Sequence, residues 1–270
     1  MVAVQSPDRQ TLPARSFAYR QLRFWLVNYR RTWRGSIYSS VLNPVLYLGA
    51  MGLGLGQLVD ARSTASLGGV SYLTFLAPGL LAAGAMQTAV GETTYPIMAS
   101  VKWLKTYQAA IASPLRPVDL FRGHLLFVGL RLVMNAVIFL IVMAAFGAIE
   151  SVWAIVTIPV ALLTGLAFAA PLEAFAITVE KETSFSLIFR FGMIPLFLFS
   201  GTFFPITQLP AWIRPVAYAT PLWHGVALCR ALSLGTADLI GALGHLSYLA
   251  AIVVLGLAAG QRTYRRRLHV

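Results

Sequence analysis

The 270-residue chain has one cysteine, Cys229, and three lysines, Lys102, Lys105 and Lys181, among its 21 basic residues. A single cysteine excludes an internal disulfide and any multi-cysteine metal site. No lysine follows a glycine, so there is no G-x-x-x-x-G-K-[ST] phosphate loop and no ATP hydrolysis by that route. His124, His224, His245 and His269 are too scattered for H-E-x-x-H zinc chemistry, and no aspartate pair suits magnesium and pyrophosphate. Ser200-Gly201 lacks a nearby histidine base, which argues against an intramembrane serine protease. Charge is scarce too: 11% of residues are charged, against about 25% in a soluble domain.

What fills the chain instead is apolar sequence, 58% of all residues, in runs long enough to cross about 30 Å of hydrocarbon. The expected fold class is an all-α polytopic membrane protein with six transmembrane helices, over about 37–58, 70–91, 119–147, 152–179, 185–204 and 239–261. The first 36 residues are polar and arginine-rich, and the first apolar run is too long for a signal peptide. The formal charge of +12 sits beside spans rather than on a basic domain, so nucleic acid is not an expected partner. Basic residues crowd the segment before span one, the connections after spans two and four, and the tail 262–270. By the positive-inside rule both termini are cytoplasmic, and membrane lipid is an expected partner.

Residues 1–15 are expected to be a flexible leader. On a helical wheel over 16–36, Leu22, Trp25, Leu26, Tyr29 and Trp33 fall on one side, with Arg20, Arg23, Arg30, Arg31 and Arg34 opposite. That predicts an amphipathic helix lying in the membrane surface, with its aromatics at headgroup depth. Residues 97–112 predict one short cytoplasmic helix, ended by Ser113-Pro114. Glu92, at the inner mouth of span two, is expected to anchor that loop by pairing with a basic residue. Glu173 is an ionisable residue inside span four, a candidate for a substrate role or for pairing with an interfacial arginine. Arg131 is expected to snorkel to the interface. Gly49, Gly52 and Gly56 form a face for close helix approach. Span five ends oddly: Ser200-Gly201, two aromatics, then Pro205 and Pro210 within "LFSGTFFPITQLPAW". Re-entrant helices over about 205–235 would account for apolar sequence that does not cross.

"LNPVLYLGAMGLGLG", "SYLTFLAPGLLAAGAMQTAVGETTYPI", "QAAIASPLRPVDLFRGHLL" and "FLFSGTFFPITQLPAWIRPVAYATPLWHGVALCRALSLG" together resemble the membrane subunit of a type-two ABC exporter, in the nodulation-type lipooligosaccharide and drug-export permease branch. The most specific part is SG-x-x-FP-x-x-x-LP followed by PL-x-H. The resemblance implies two nucleotide-binding ATPase subunits as partners, holding the ATP and magnesium, and a second permease copy, with no cofactor in this chain. It makes the N-terminal helix an interface helix through Arg20, Arg23, Trp25, Arg30, Arg31 and Trp33. The helix near 97–112 becomes a coupling helix, with Lys102, Trp103, Lys105, Tyr107, Gln108 and Glu92 on the ATPase side. Tyr47, Phe199, Phe203, Phe204 and Glu173 are then expected along the translocation path or its gate. The implied activity is export of a lipid-linked saccharide, glycolipid or hydrophobic drug-like molecule from the bacterial inner membrane. The alternative is an ATP-independent channel or secondary carrier, which would need coupling-ion residues deep in several spans, where only Glu173 qualifies.

Overall fold

The computed structural model describes residues 15–62, 67 and 69–268, and among them the regular secondary structure is entirely helical. The expected leader, apart from Arg15, and the last two residues of the tail lie outside the described residues.

Helix α1 runs over Arg15–Tyr47, passes through a π-helical stretch, Leu48–Leu55, and ends as Gly56–Arg62. Helix α2, Tyr72–Trp103, starts from the Ser71 cap, whose Oγ accepts from Thr74 N at 3.2 Å. Asp60 at the end of α1 accepts from Tyr72 N at 2.9 Å and ties the two helices together. α2 kinks at Thr94, because Pro96 cannot donate to the carbonyl four residues back and the Thr93 and Thr94 hydroxyls bond Ala89 O and Val90 O instead. After Lys105 comes the short α3, Thr106–Ile111. Helix α4, Pro117–Ala145, has proline in its first turn, with Asp119 accepting from Arg116 N. Helix α5 is Thr157–Ala176 and α6 is the composite Thr183–Phe199, π-helical over Ile188–Met193. Two short helices follow, α7 (Arg214–Tyr218) and α8 (Pro221–Leu234). Helix α9, Leu239–Arg267, closes the chain with Arg265, Arg266 and Arg267 in its last turn, where the dipole favours cations.

Helix α2 is the centre of the bundle, packed by α4, α5 and α8, with α1 against α4 and α9 against α5. Among the described residues, five helices are long and apolar enough to cross a membrane. α6 falls short of the roughly 20 residues a crossing needs, and its π segment shortens it further. The expected fifth span to residue 204 therefore ends at Phe199.

The basic segments meet at one end of the bundle. There Lys102 Nζ donates to Glu180 O, Arg267 reaches Thr178 O and Glu180, and the α4 backbone at Gly123 touches Ala18 and Gln21 of α1. At the far end Glu150 N donates to Ser233 O, joining the α4–α5 turn to the end of α8.

Several expectations change in shape. The amphipathic segment is not separate from span one: no cap interrupts α1 near residue 36. Most of its aromatic stripe lies against α4, with Trp25 buried and stacked on Phe127 at 5.7 Å. The opposite arginines, Arg20, Arg23, Arg30, Arg31 and Arg34, are exposed, as is Trp33. Protein covers the stripe because α4 offers a matching aromatic face. Of the glycine face, Gly52 is met by Leu73 and Gly56 by Tyr72, while Gly49 faces nothing within 4 Å.

Candidate functional site

A cavity of about 460 Å³ lies between α1, α2 and α4, with Phe197 of α6 at its edge. Its walls carry an unusual amount of polarity for long apolar helices: Ser39, Ser40, Asn43, Gln87, Thr88 and Asn135. Asn135 Nδ2 donates to Thr88 Oγ1 at 2.9 Å, and its Oδ1 lies 2.7 Å from Ser40 Oγ, so one amide bridges all three helices. Pro44 lines the cavity as well, and its missing N–H leaves Ser40 O without its intrahelical donor. Ser39, Asn43 and Tyr47 form an exposed edge of α1, the mouth of the cavity. Tyr47 and Phe197, ring centroids 6.1 Å apart, supply its aromatic wall with Phe139.

At the basic end of the cavity Arg131 Nε donates to Glu92 Oε1 at 3.1 Å. Arg131 Nη1 donates to Tyr29 OH at 2.7 Å, and the guanidinium carbon stands 4.7 Å from the Tyr29 ring centroid. Arg131 thus does not snorkel: a counter-ion and an aromatic face hold it inside. Glu92 does pair with a basic residue, but one on α4, so it lines the cavity rather than securing the loop.

Glu173 lies elsewhere. It is fully buried, accepts from Tyr264 OH at 2.9 Å, and has Oε2 3.0 Å from His124 Nδ1. Trp25 lies 4.5 Å from the His124 ring and Phe121 5.1 Å from that of Tyr264, sealing the group. Its partner is neither an arginine nor anything in the cavity, because α5 presents residue 173 toward α4 and α9. The expected path role is therefore not supported by its position.

The segment expected to be one coupling helix is two pieces. The helix of α2 extends through Ala99–Trp103; Lys105 then takes a left-handed conformation (φ 51) and α3 begins at Thr106. Lys102, Trp103, Lys105 and Gln108 are exposed, Trp103 at 54%. Tyr107 is not: the turn at Lys105 aims it inward, and its ring lies 6.2 Å from Tyr264. Burial, followed by the Glu173 carboxylate, pushes the Tyr107 hydroxyl well above the ordinary phenol range.

At the far end the broken α6 has a specific anchor. Gly201 adopts φ 80, and Arg230 Nη2 donates to Gly201 O at 2.8 Å and Thr202 O at 3.3 Å. Arg230 Nε bonds Phe75 O at 3.0 Å, with the guanidinium 3.7 Å above the Phe75 ring. A side chain of α8 thereby satisfies the carbonyls of the turn just past the end of α6. Gly79 admits this approach: a Cβ there would stand 2.9 Å from Thr202 O. Phe203 and Phe204 part company at the break. Phe203 packs on Phe197 at 5.0 Å, whereas Phe204 joins Ile206, Leu209 and Ala217 in a separate small core. Phe199 is 40% exposed. Of these expected path or gate residues, Phe203 thus neighbours the cavity wall and Phe204 belongs to the separate small core.

The expectations missed Ser40, Thr88, Asn135, Tyr29, His124, Tyr264 and Arg230 as members of these sites. A signal existed for some: Thr88 with Glu92, and Arg131 with Asn135, are polar pairs four residues apart within apolar runs, one helical face each.

Long apolar helices around a polar cavity define a polytopic membrane protein of the transporter class. The sequence model of the ABC-2 type transporter family matches residues 20–234, from the first turns of α1 to the end of α8, and the chain belongs to that family. Its relatives include Nodulation protein J of Rhizobium leguminosarum bv. trifolii, 29% identical over 252 residues, covering 90% of this chain and 94% of the relative. Nodulation protein J of Rhizobium meliloti (strain 1021) is 29% identical with the same coverage. That of Rhizobium leguminosarum bv. viciae is 29% identical over 263 residues, 96% of this chain and 98% of the relative.

Proposed function

We propose that this permease exports an amphiphilic substrate, a lipid-linked saccharide, glycolipid or hydrophobic drug-like molecule, powered by separate ATPase subunits that hold the ATP and magnesium. The observation that carries the coupling is the exposed tip Lys102-Trp103-Leu104-Lys105, where two large apolar side chains stand between two lysines at the basic end. Exposed aromatic and apolar side chains flanked by charge suit a protein partner. Tyr107, one turn on, is rooted against α9, so a push on the tip is passed into the bundle.

In this reading the basic end is cytoplasmic, in the inner membrane, and the ATPase pair docks there. A second permease copy completes the path. ATP binding favours one of two permease conformations, and its differential affinity for the two supplies the energy. The segment after Phe199, with α8, is a re-entrant gate on the outer side. Co-expression with a neighbouring ATPase subunit, tagged on one partner, tests the coupling. The expected result is copurification that K102A/W103A/K105A abolishes. Absence of copurification, together with unchanged transport by that triple variant, would overturn it.

A further inference from the structure

The cavity between α1, α2 and α4 has a charge pattern that selects among substrates. Its polar lining consists of neutral hydroxyls and amides plus one ion pair, and that pair is already compensated: Arg131 is engaged by Glu92 and by Tyr29. The opposite face of α2 meets a different environment. There Met86 and Val90, with Phe168, Phe175, Leu196 and Ile252, line an apolar groove of about 510 Å³. One helix therefore separates a hydrogen-bonding cavity from an apolar one. Polar side chains are retained at membrane depth at a cost unless a ligand or water uses them. The cavity has the size of a small-ligand site, with Tyr47 and Phe197 as ring platforms and its mouth along the exposed edge of α1.

We propose that this cavity binds the uncharged, hydroxyl-rich head group of an amphiphile while the apolar tail stays outside the mouth, and that the Glu92–Arg131 pair excludes anionic heads. The proposal rests on the export reading and names the site within it. Ser39, Asn43, Gln87 and Asn135 exchange hydrogen bonds with the head, and Tyr47 stacks on a ring face. An anionic head gains nothing from Arg131, whose charge is spent on Glu92, and meets the Glu92 carboxylate at close range. Burying such a head without a counter-ion is unfavourable.

The test uses the full chain in lipid nanodiscs, without ATPase or transport. Two probes share a diazirine-bearing dodecyl tail, one with a β-maltoside head and one with a phosphate head. Crosslinked peptides are mapped by mass spectrometry. The maltoside probe is expected to label the peptides carrying Ser39–Tyr47 and Gly84–Glu92 about tenfold more than the phosphate probe, the margin of one or two polar contacts. Glu92→Gln, which releases Arg131, is expected to reverse that preference. Asn43→Ala, which leaves the ion pair intact, is expected to weaken maltoside labelling and leave the phosphate signal unchanged. Thermal unfolding of each variant shows whether it is folded. Equal labelling by both heads, labelling confined to the apolar groove, or no reversal in folded Glu92→Gln overturns the proposal. Failure of ATPase copurification would sink the coupling and leave this binding result standing. Copurification without head-selective labelling would sink only the cavity.

Discussion

His124 and Arg131 are seven residues apart on α4, two turns along one face, yet their surroundings are opposite. The His124–Glu173 pair has no exposed side-chain surface, and Tyr264, Trp25 and Phe121 close over it. The Arg131–Glu92 pair keeps 11% and 22% exposure and looks into the polar cavity. A sealed ionisable group has no path to a ligand, and its partners hold helices together. An open one on a cavity wall stays within reach of whatever enters the cavity. The comparison reverses the sequence expectation, which set Glu173 on the path and sent Arg131 to the interface.

The sharpest way to break this contrast is Glu173→Ala. It leaves the Tyr264 hydroxyl buried without its acceptor and opens a void beside His124, and should destabilise the protein by about 1–3 kcal/mol, read as a lower thermal midpoint in nanodiscs. A midpoint equal to wild type would mean that the sealed cluster is not structural. Glu173→Gln retains an acceptor for Tyr264 and should lose less. Arg230 extends the comparison, since its partners are backbone carbonyls rather than a carboxylate. Arg230→Leu removes the donor to the Gly201 and Thr202 carbonyls and should lose about 1–3 kcal/mol, with faster hydrogen exchange confined to the α6 end and the Gly79 turn. Exchange that rises evenly across the bundle would contradict a local anchor.

Smaller effects sharpen the open side. Glu92→Ala removes the counter-ion of a cation that keeps Tyr29 and some exposure, so a loss of about 1–2 kcal/mol is expected. A double-mutant cycle with Arg131→Met should return a coupling of about 1 kcal/mol; zero coupling would deny that the two act as a pair. The smallest effect belongs to the exposed tip at Lys102–Lys105, which has strain without buried charge. Lys105→Gly relieves a left-handed non-glycine residue and should stabilise the protein by about 1 kcal/mol or less, read as a higher thermal midpoint.

Much was legible from one-dimensional pattern. The long apolar runs appear as α1, α2, α4, α5 and α9 because hydropathy and length suffice for a helix that must satisfy its own backbone. The break after Phe199 was legible from Ser200-Gly201 and the following prolines, since glycine and proline act locally. The continuity of α1 through residue 36 was not, because the change there from arginine-rich to apolar sequence leaves the backbone helix unbroken. The break at Lys105 within the expected 97–112 helix was not legible, because a left-handed lysine carries no sequence signature.

The sequence by itself determined an all-helical membrane protein, where its basic segments fall, and that one apolar segment ends early. These follow from solvent and backbone chemistry acting residue by residue. Only the tertiary structure decided that Arg131 meets Glu92 39 residues away, that Glu173 meets Tyr264 91 residues away, and that Arg230 of α8 caps the broken α6. Such pairings depend on which helix faces abut, and helix facing is set by packing across the whole bundle rather than by any local run of residues.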